Sequence, residues 1–118
     1  MESLDFVKAA ARLLDTKKAD QIDVIRIGDM TILADYFIIA SATNTTHVKA
    51  LADELEYELK EKYGRSPKQI EGYDSRNWII LDYQDVVIHI FFEETRNYYN
   101  LEKLWSDGVH VDLAELLH

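Results

Sequence analysis

Apolar residues recur along the chain with two different spacings. Spacings of three and four predict two amphipathic helices, over residues 3–17 and 45–63. Ser3 is placed to cap the first helix, and Gly64 is placed to end the second. Short apolar runs rich in β-branched residues predict strands at 22–28, 35–42, 78–81 and 86–92.

The connection between the last two predicted strands is only four residues long, 82–85. Such a short connection favours an antiparallel hairpin. A tight two-residue turn favours glycine, yet neither Tyr83 nor Gln84 is glycine. We therefore expect either a positive φ at one of them, at some energetic cost, or a loop longer than two residues.

The region after the hairpin predicts a further helix over about 93–105, which starts with negative charge and ends before Gly108. Residues 109–118 form a C-terminal extension, one last short strand or helix that packs on the domain or frays from it. The order helix, strand, strand, helix, hairpin, helix predicts the α/β class. We expect a single domain, residues 1–108, with a mixed sheet flanked by helices.

Composition and charge restrict the functions open to this chain. Its 118 residues carry a formal net charge of −9 and are 47% hydrophobic, which is typical of a folded acidic domain. Proteins that grip nucleic acid normally show a basic balance, so we expect little or no direct nucleic-acid contact and no membrane partner. The acidic N-terminus does not resemble a signal peptide, and no apolar run spans a membrane, so a cytoplasmic location is expected.

Few residues are arranged for catalysis or metal binding. The chain has no cysteine, its four histidines are scattered, and its four glycines form no phosphate-binding loop. Asp82 and Asp85 flank the predicted turn and could hold Mg²⁺, although aspartates are common at turns for backbone reasons. We expect no catalytic residue, metal or cofactor. A Mg-dependent enzyme that uses these two aspartates is the alternative.

Aromatic residues concentrate in the hairpin and the helix after it, at Trp78, Tyr83, Tyr98, Tyr99 and Trp105. Tryptophan and tyrosine dominate the energetics of protein interfaces, but they could also simply fill a core. Trp78 and Ile80 share one face of their strand, while Ile79 and Leu81 share the other. If helices cover only the second face, the face of Trp78 stays open as a binding surface.

Two segments together resemble the Iojap family, also called the ribosomal silencing factor RsfS family. The first segment contains Asp35-Tyr36-Phe37-Ile38-Ile39, Ser41-Ala42-Thr43-Asn44 and His47-Val48. The second contains Glu71-Gly72, Trp78-Ile79-Ile80-Leu81-Asp82-Tyr83, Asp85-Val86-Val87-Ile88-His89-Ile90-Phe91, Glu94-Thr95-Arg96 and Tyr98-Tyr99-Asn100-Leu101-Glu102-Lys103-Leu104-Trp105. The resemblance covers about residues 3–108. It departs from the family at residues 42–44, usually Gly-Thr-Ser, and at Gln84, usually glycine.

The resemblance implies a fold and a function that spacing alone does not. The implied fold is similar to that of nucleotidyltransferases without their catalytic motif, and here Ser41 follows Ala40 and no Asp-x-Asp follows it. The implied function is to bind ribosomal protein fourteen of the large ribosomal subunit, at the face where the small subunit docks. Binding there blocks subunit joining and represses translation under nutrient limitation. The family also implies a homodimer when the protein is free.

The resemblance matches Trp78 to the family's interface tryptophan, so we expect it to be the central anchor. The other expected contacts with the ribosomal protein follow from their neighbourhood: Tyr83, Asp85, His89, Glu94, Tyr98, Leu101 and Trp105. Leu101 and Trp105 could instead belong to the core. An acidic chain gains association rate and orientation when its partner is basic, as ribosomal proteins usually are. A dimeric scaffold for a non-ribosomal partner is the second alternative.

Overall fold

The computed structural model describes residues 2–104, 106 and 108–117. Within them the helices are α1 (Ser3–Thr16), α2 (Thr45–Tyr63), α3 (Glu93–Tyr99), α4 (Leu101–Leu104) and α5 (Leu113–Leu117). The strands are β1 (Asp20–Arg26), β2 (Tyr36–Ala42), β3 (Gln69–Glu71), β4 (Trp78–Asp82), β5 (Val86–Phe92) and β6 (Val109–His110). Among these described helices, none is both long and apolar enough to cross a membrane.

The strands form one mixed sheet in the order β3-β4-β5-β2-β1-β6. Strands β2 and β5 are parallel, and the other neighbours are antiparallel. The predicted hairpin is confirmed, with Trp78 opposite Phe91 and Ile80 opposite His89. The structure therefore confirms a single α/β domain with a mixed sheet. The apolar pattern does not predict the edge strand β3, because Ile70 is its one apolar residue.

The hairpin turn between β4 and β5 contains no glycine and instead places Gln84 in the left-handed conformation. Gln84 has a φ of 76°, in the left-handed region, which confirms the first of the two predicted options. Its backbone N–H donates to Oδ1 of Asp82 at 2.8 Å. The N–H of Tyr83 donates to the carbonyl of Val86 at 2.9 Å. These hydrogen bonds offset the cost of a left-handed conformation at a residue that has a Cβ.

Helix α2 begins and ends at specific caps. Oδ1 of Asn44 accepts a hydrogen bond from the backbone N–H of His47 at 2.7 Å. Gly64 has a φ of 68°, and its N–H donates to the carbonyl of Lys60 at 2.9 Å. The predicted helix over 45–63 and its glycine cap are both confirmed.

Two other element boundaries differ from the prediction. Glu2, not Ser3, occupies the cap position of α1, and the Ser3 hydroxyl instead donates to Oδ2 of Asp85 at 2.7 Å. The helix predicted over 93–105 is interrupted at Asn100, whose φ of 49° separates α3 from α4. Asparagine adopts this left-handed conformation more readily than most residues, which explains the break.

The two faces of the sheet are buried to different extents. Helices α1, α2 and α5 pack on one face, here called the covered face. Its fully buried side chains include Phe6, Leu55, Ile79, Leu81 and Ile88. The opposite face is here called the Trp78 face and is defined by Phe37, Ile39, Trp78, His89 and Phe91. Its apolar cluster is smaller, and Trp78 and Phe37 remain only partly buried.

Residues 109–117 are joined to the domain by backbone pairing and by the core. Strand β6 pairs with β1, with His110 opposite Ile25. The N–H of Val111 donates to the carbonyl of Val24 at 2.9 Å. Leu116 is buried in the core of the covered face. The described part of the C-terminal segment therefore packs on the domain at the far side from β4.

Candidate functional site

Trp78 lies at the centre of an aromatic cluster on the Trp78 face. Its indole stacks on Phe91, with ring centroids 4.8 Å apart and planes 24° apart. Tyr99 contacts the same indole at a centroid distance of 5.1 Å. Because the hairpin register places Trp78 opposite Phe91, the stacking follows from strand pairing. The indole is only partly buried, so part of its surface is free to contact another molecule.

A hydrogen bond fixes the orientation of this indole. Nε1–H of Trp78 donates to Nδ1 of His89 at 3.1 Å. An indole N–H can only donate, so Nδ1 accepts and the ring proton of His89 is on Nε2. Burial lowers the pKa of His89 to about 4, so the ring is neutral at pH 7. The described residues offer its Nε2 no hydrogen-bond partner, and the ring packs against Phe37 at 4.7 Å.

Helix α3 is held against the same face by Arg96. The guanidinium is buried, and its Nε donates to Oε1 of Glu102 at 2.6 Å. Its Nη1 donates to Oγ of Ser41, on β2, at 3.0 Å. A buried charge requires this degree of pairing. Because Arg96 joins α3 to both the sheet and α4, the tyrosines of α3 are held beside Trp78.

Tyr98 and Tyr99 form one wall of a groove beside Trp78. The groove has a volume of about 610 Å³ and is also lined by Ser75, Asn77, Glu94 and Thr95. The two tyrosine rings meet edge to face at 5.1 Å. Tyr98 is 82% exposed and Tyr99 is 56% exposed. Exposed aromatic side chains beside a partly buried tryptophan are typical of protein-binding surfaces.

The structure brings together several of the residues predicted to contact a partner. Trp78, Glu94 and Tyr98 line the groove, and His89 lies next to Trp78 through their hydrogen bond. Leu101 is buried in the apolar cluster beneath this face, where it can support the surface from inside. Trp105 lies outside the described residues.

Two other predicted contact residues lie apart from the groove. Tyr83 is buried on the covered face, where its ring packs on Phe6 at 4.8 Å, and burial raises its pKa. Asp85 accepts hydrogen bonds from Arg65 and from Ser3, both at 2.7 Å. Burial alone would raise the pKa of Asp85, but these two hydrogen bonds outweigh it and hold the pKa below its usual value. These contacts join the hairpin turn to α1 and to the segment after α2.

Sequence patterns alone do not single out the stacking partner of Trp78 or the exposed apolar residues of the connection between β1 and β2. Phe91 could have been found, because a four-residue connection fixes which residue lies opposite Trp78. The exposed apolar residues in the connection between β1 and β2 are harder to predict, because their short run gives no periodic signal. There Ile32 is 102% exposed and Leu33 is 75% exposed.

The aspartates considered for Mg²⁺ both have protein partners. Oδ1 of Asp82 accepts from the N–H of Gln84, and Asp85 forms an ion pair with Arg65 at 2.7 Å. A guanidinium at this distance disfavours a second cation on the same carboxylate. In the part of the chain that the structure describes, no group of three or more His, Cys, Asp or Glu residues could hold a metal ion.

Comparison with known proteins connects this geometry to a family. A family model described as "Ribosomal silencing factor during starvation" matches residues 1–118. The ribosomal silencing factor RsfS of Halalkalibacterium halodurans is 35% identical over 117 residues, 99% of each chain. That of Bacillus subtilis is 37% identical over 113 residues, 96% of this chain and 95% of the relative. Relatives named for mitochondria and chloroplasts match as well.

A solved structure agrees with these sequence matches. The crystal structure of a protein from Chromobacterium violaceum superposes with a TM-score of 0.86 and 33% identity, covering 90% of this chain and 88% of that one. The family model matches from the first residue to the last, and both bacterial relatives match nearly end to end. The chain therefore belongs to the ribosomal silencing factor RsfS family, a family of non-catalytic factors that bind the large ribosomal subunit.

Proposed function

We propose that this protein silences translation by binding ribosomal protein fourteen of the large subunit through its Trp78 face. The bound protein occupies the surface where the small subunit docks, so it blocks subunit joining and lowers translation under nutrient limitation. The observation that carries the proposal is the aromatic groove beside Trp78. Helices α1, α2 and α5 all pack on the opposite face, and α3, which packs beside Trp78, leaves Tyr98 and Tyr99 exposed on this one.

The predicted contact residues take different roles in this proposal. Trp78 is the anchor, because tryptophans at the centre of a contact patch dominate binding free energy. Glu94 and Tyr98 contact the partner directly from the groove, and Trp105 is proposed as a further contact residue. The buried residues act from behind: His89 orients Trp78, and Leu101 supports the face from inside. Tyr83 and Asp85 keep the hairpin in place from the covered side.

The acidity of the chain fits a basic partner. A net charge of −9 produces a negative potential that steers a positively charged protein towards it and repels the phosphates of ribosomal RNA. The proposal therefore includes few or no direct contacts with nucleic acid. It also includes a cytoplasmic location, which the end-to-end similarity to bacterial relatives supports.

We also propose that the free protein is a homodimer, since exposed apolar side chains such as Ile32 and Leu33 favour burial against a second copy. The fold is proposed to be related to that of nucleotidyltransferases, with Ser41 buried and hydrogen-bonded to Arg96 in place of a catalytic role.

Residues 1–108 are proposed as the functional unit. The extension 109–118, whose described part packs on the domain, is proposed to lie outside that unit, since β6 and α5 contribute nothing to the lining of the groove.

A subunit-joining assay tests this function. Purified large and small subunits are mixed with the wild-type protein at several-fold excess, and joined ribosomes are separated by sedimentation. We expect the wild-type protein to suppress joining and Trp78→Ala to lose most of this effect. Tyr57→Ala is the matched control, because Tyr57 is an exposed aromatic residue on α2, on the other side of the sheet.

Three outcomes would contradict the proposal. Unimpaired joining in the presence of excess wild-type protein would exclude silencing by this chain. Full activity of Trp78→Ala would exclude the Trp78 face as the contact surface. Capture of a non-ribosomal protein in place of large subunits would favour the scaffold alternative.

A further inference from the structure

The groove beside Trp78 has three aromatic residues in its wall. Trp78 and Tyr99 are 5.1 Å apart with planes tilted by 46°, and Tyr98 stands nearly perpendicular to Tyr99 at 84°. Rings at such different angles cannot all lie flat on one another, so ring faces remain open. The 82% exposure of Tyr98 shows this directly. The wall therefore presents aromatic π surface towards the groove.

The charge of the groove is negative. Glu94 lines it and is exposed, and no lysine or arginine is among its lining residues. Among the residues that the structure describes, Glu94 takes part in no ion pair. The groove thus combines open ring faces with an unpaired negative charge.

This combination selects one kind of occupant. Aromatic faces attract cations through the negative face of the ring, and they do so within about 6 Å of the ring centroid. An apolar side chain would form no favourable interaction with Glu94. It would also displace water from that carboxylate without replacing the lost hydrogen bonds, which costs free energy. A cation gains from both features. A planar guanidinium fits best, because it stacks on rings and offers several N–H donors to a carboxylate.

We propose that this groove binds an arginine side chain of the basic protein partner, with the guanidinium against Tyr98 and Tyr99 and its N–H groups directed at Glu94. The inference rests on the proposed function for the identity of the partner, and it adds the chemistry by which that partner is recognised. The arginine lies beside the anchor Trp78, so the partner surface must present a basic residue next to an apolar one. The groove then sets specificity as well as affinity.

A small-molecule titration tests the groove without the ribosome. N-acetyl-arginine amide is added to the ¹⁵N-labelled full chain, and the indole signal of Trp78 and the amide signals of α3 are followed by NMR. N-acetyl-citrulline amide is the control ligand, because it has nearly the same shape with no charge. We expect shifts that grow with concentration for the arginine compound and far smaller shifts for the citrulline compound at the same concentrations.

Two matched pairs of variants sharpen the titration. Glu94→Gln is compared with Glu93→Gln, which removes a neighbouring carboxylate that does not line the groove. Tyr98→Leu is compared with Tyr57→Leu, another exposed tyrosine. We expect the groove variants to weaken arginine binding about threefold to fivefold and the controls to leave it unchanged. Equal binding of arginine and citrulline, or equal effects of the paired variants, would overturn the proposal.

The same four variants in a large-subunit binding assay distinguish a failure of the arginine groove from a failure of the proposed function. We expect Glu94→Gln and Tyr98→Leu to lower the affinity about fivefold or more, and Glu93→Gln and Tyr57→Leu to stay within about twofold. If Trp78→Ala lowers the affinity but Glu94→Gln and Tyr98→Leu do not, the arginine groove is wrong and the proposed function stands. If Trp78→Ala also binds normally, the proposed contact face itself fails.

Discussion

The two faces of the sheet are built from different kinds of apolar residue, and we propose different roles for them. On the covered face, aliphatic side chains such as Leu55, Ile79 and Ile88 are fully buried beneath helices from both ends of the chain. On the Trp78 face, Trp78 and Tyr99 stay partly exposed while Phe91 and His89 beneath them are buried. Aliphatic burial stabilises the fold. We propose that the exposed aromatic surface binds the partner.

We propose that this difference assigns stability and binding to opposite faces of the same sheet. The same hairpin strand contributes Ile79 to one face and Trp78 to the other. A substitution on the covered face should therefore change the free energy of unfolding, and one on the Trp78 face should change the affinity for the large subunit. The comparison applies to buried side chains of the covered face and to exposed side chains of the Trp78 face, and it fails wherever one of these shows the effect expected of the other.

The largest expected effect on stability comes from the covered face. Leu55 is 1% exposed within α2, so Leu55→Ala leaves a cavity in the main core. We expect the free energy of unfolding to fall by about 3 kcal/mol, measured by urea denaturation. Tyr57→Ala, on the exposed side of the same helix, should change it by about 0.5 kcal/mol or less. A loss below about 1 kcal/mol for Leu55→Ala would show that this face does not dominate stability.

The next largest effect is a pH dependence of the free energy of unfolding, which comes from His89 on the Trp78 face. Burial lowers the pKa of His89 from 6.5 to about 4, so as pH falls the unfolded chain takes up this proton before the folded one does. The stability contributed by neutral His89 is complete above about pH 6.5 and decreases towards pH 4. We expect a loss of about 2 kcal/mol at pH 5, measured by urea denaturation between pH 7 and pH 5.

The His89→Gln variant isolates this effect, because its side chain does not titrate while all other groups are unchanged. We expect its stability to fall less than that of the wild-type protein over the same pH range, by about 2 kcal/mol at pH 5. Parallel pH profiles for the two proteins would show that His89 is accessible to water and does not form a buried support for Trp78.

A smaller effect decides the role of Asp85. Its ion pair with Arg65 at 2.7 Å joins the hairpin turn to the segment after α2. We expect Asp85→Asn to lower the free energy of unfolding by about 1 kcal/mol and to leave large-subunit affinity unchanged. Asp29→Asn is the control, because its ion pair with Arg26 at 3.5 Å is largely exposed. Lost affinity with unchanged stability would return Asp85 to the contact surface.

The smallest effect concerns association rate. If the charge of −9 steers the protein towards a basic partner, added salt must slow association by screening. We expect the association rate constant to fall several-fold between low and physiological salt in stopped-flow measurements, with a smaller change in dissociation. A rate independent of salt would show that the acidic surface plays no part in the approach.

Local signals predicted most of the fold. The apolar spacing of α2, with Asn44 before it and Gly64 after it, specifies a helix without help from the rest of the chain. The short connection at 82–85 specifies the hairpin and, with it, the stacking partner of Trp78. These features depend on residues close in sequence, which is why periodicity and turn residues are sufficient to find them.

The remaining features depend on contacts between distant residues. The parity of side chains along a strand could have placed Tyr83 on the same face as Leu81, yet its packing on Phe6 needs α1 in position. The pairing of Asp85 with Arg65 joins residues 20 positions apart. Likewise, Arg96 holds α3 against β2, and this long-range contact helps to form the groove. Glu94 and Tyr98 reach the groove because α3 packs beside Trp78, whereas Tyr83, although nearer to Trp78 in sequence, is buried on the covered face.

The separation of binding from folding is tested most directly by measuring both properties in Trp78→Ala. The affinity for purified large subunits is determined by co-sedimentation, and the free energy of unfolding by urea denaturation of the same preparation. We expect the affinity to fall about 30-fold or more, equivalent to about 2 kcal/mol, while the variant stays cooperatively folded. Undiminished affinity in a folded variant would contradict the assignment of the Trp78 face as the surface that binds the ribosome.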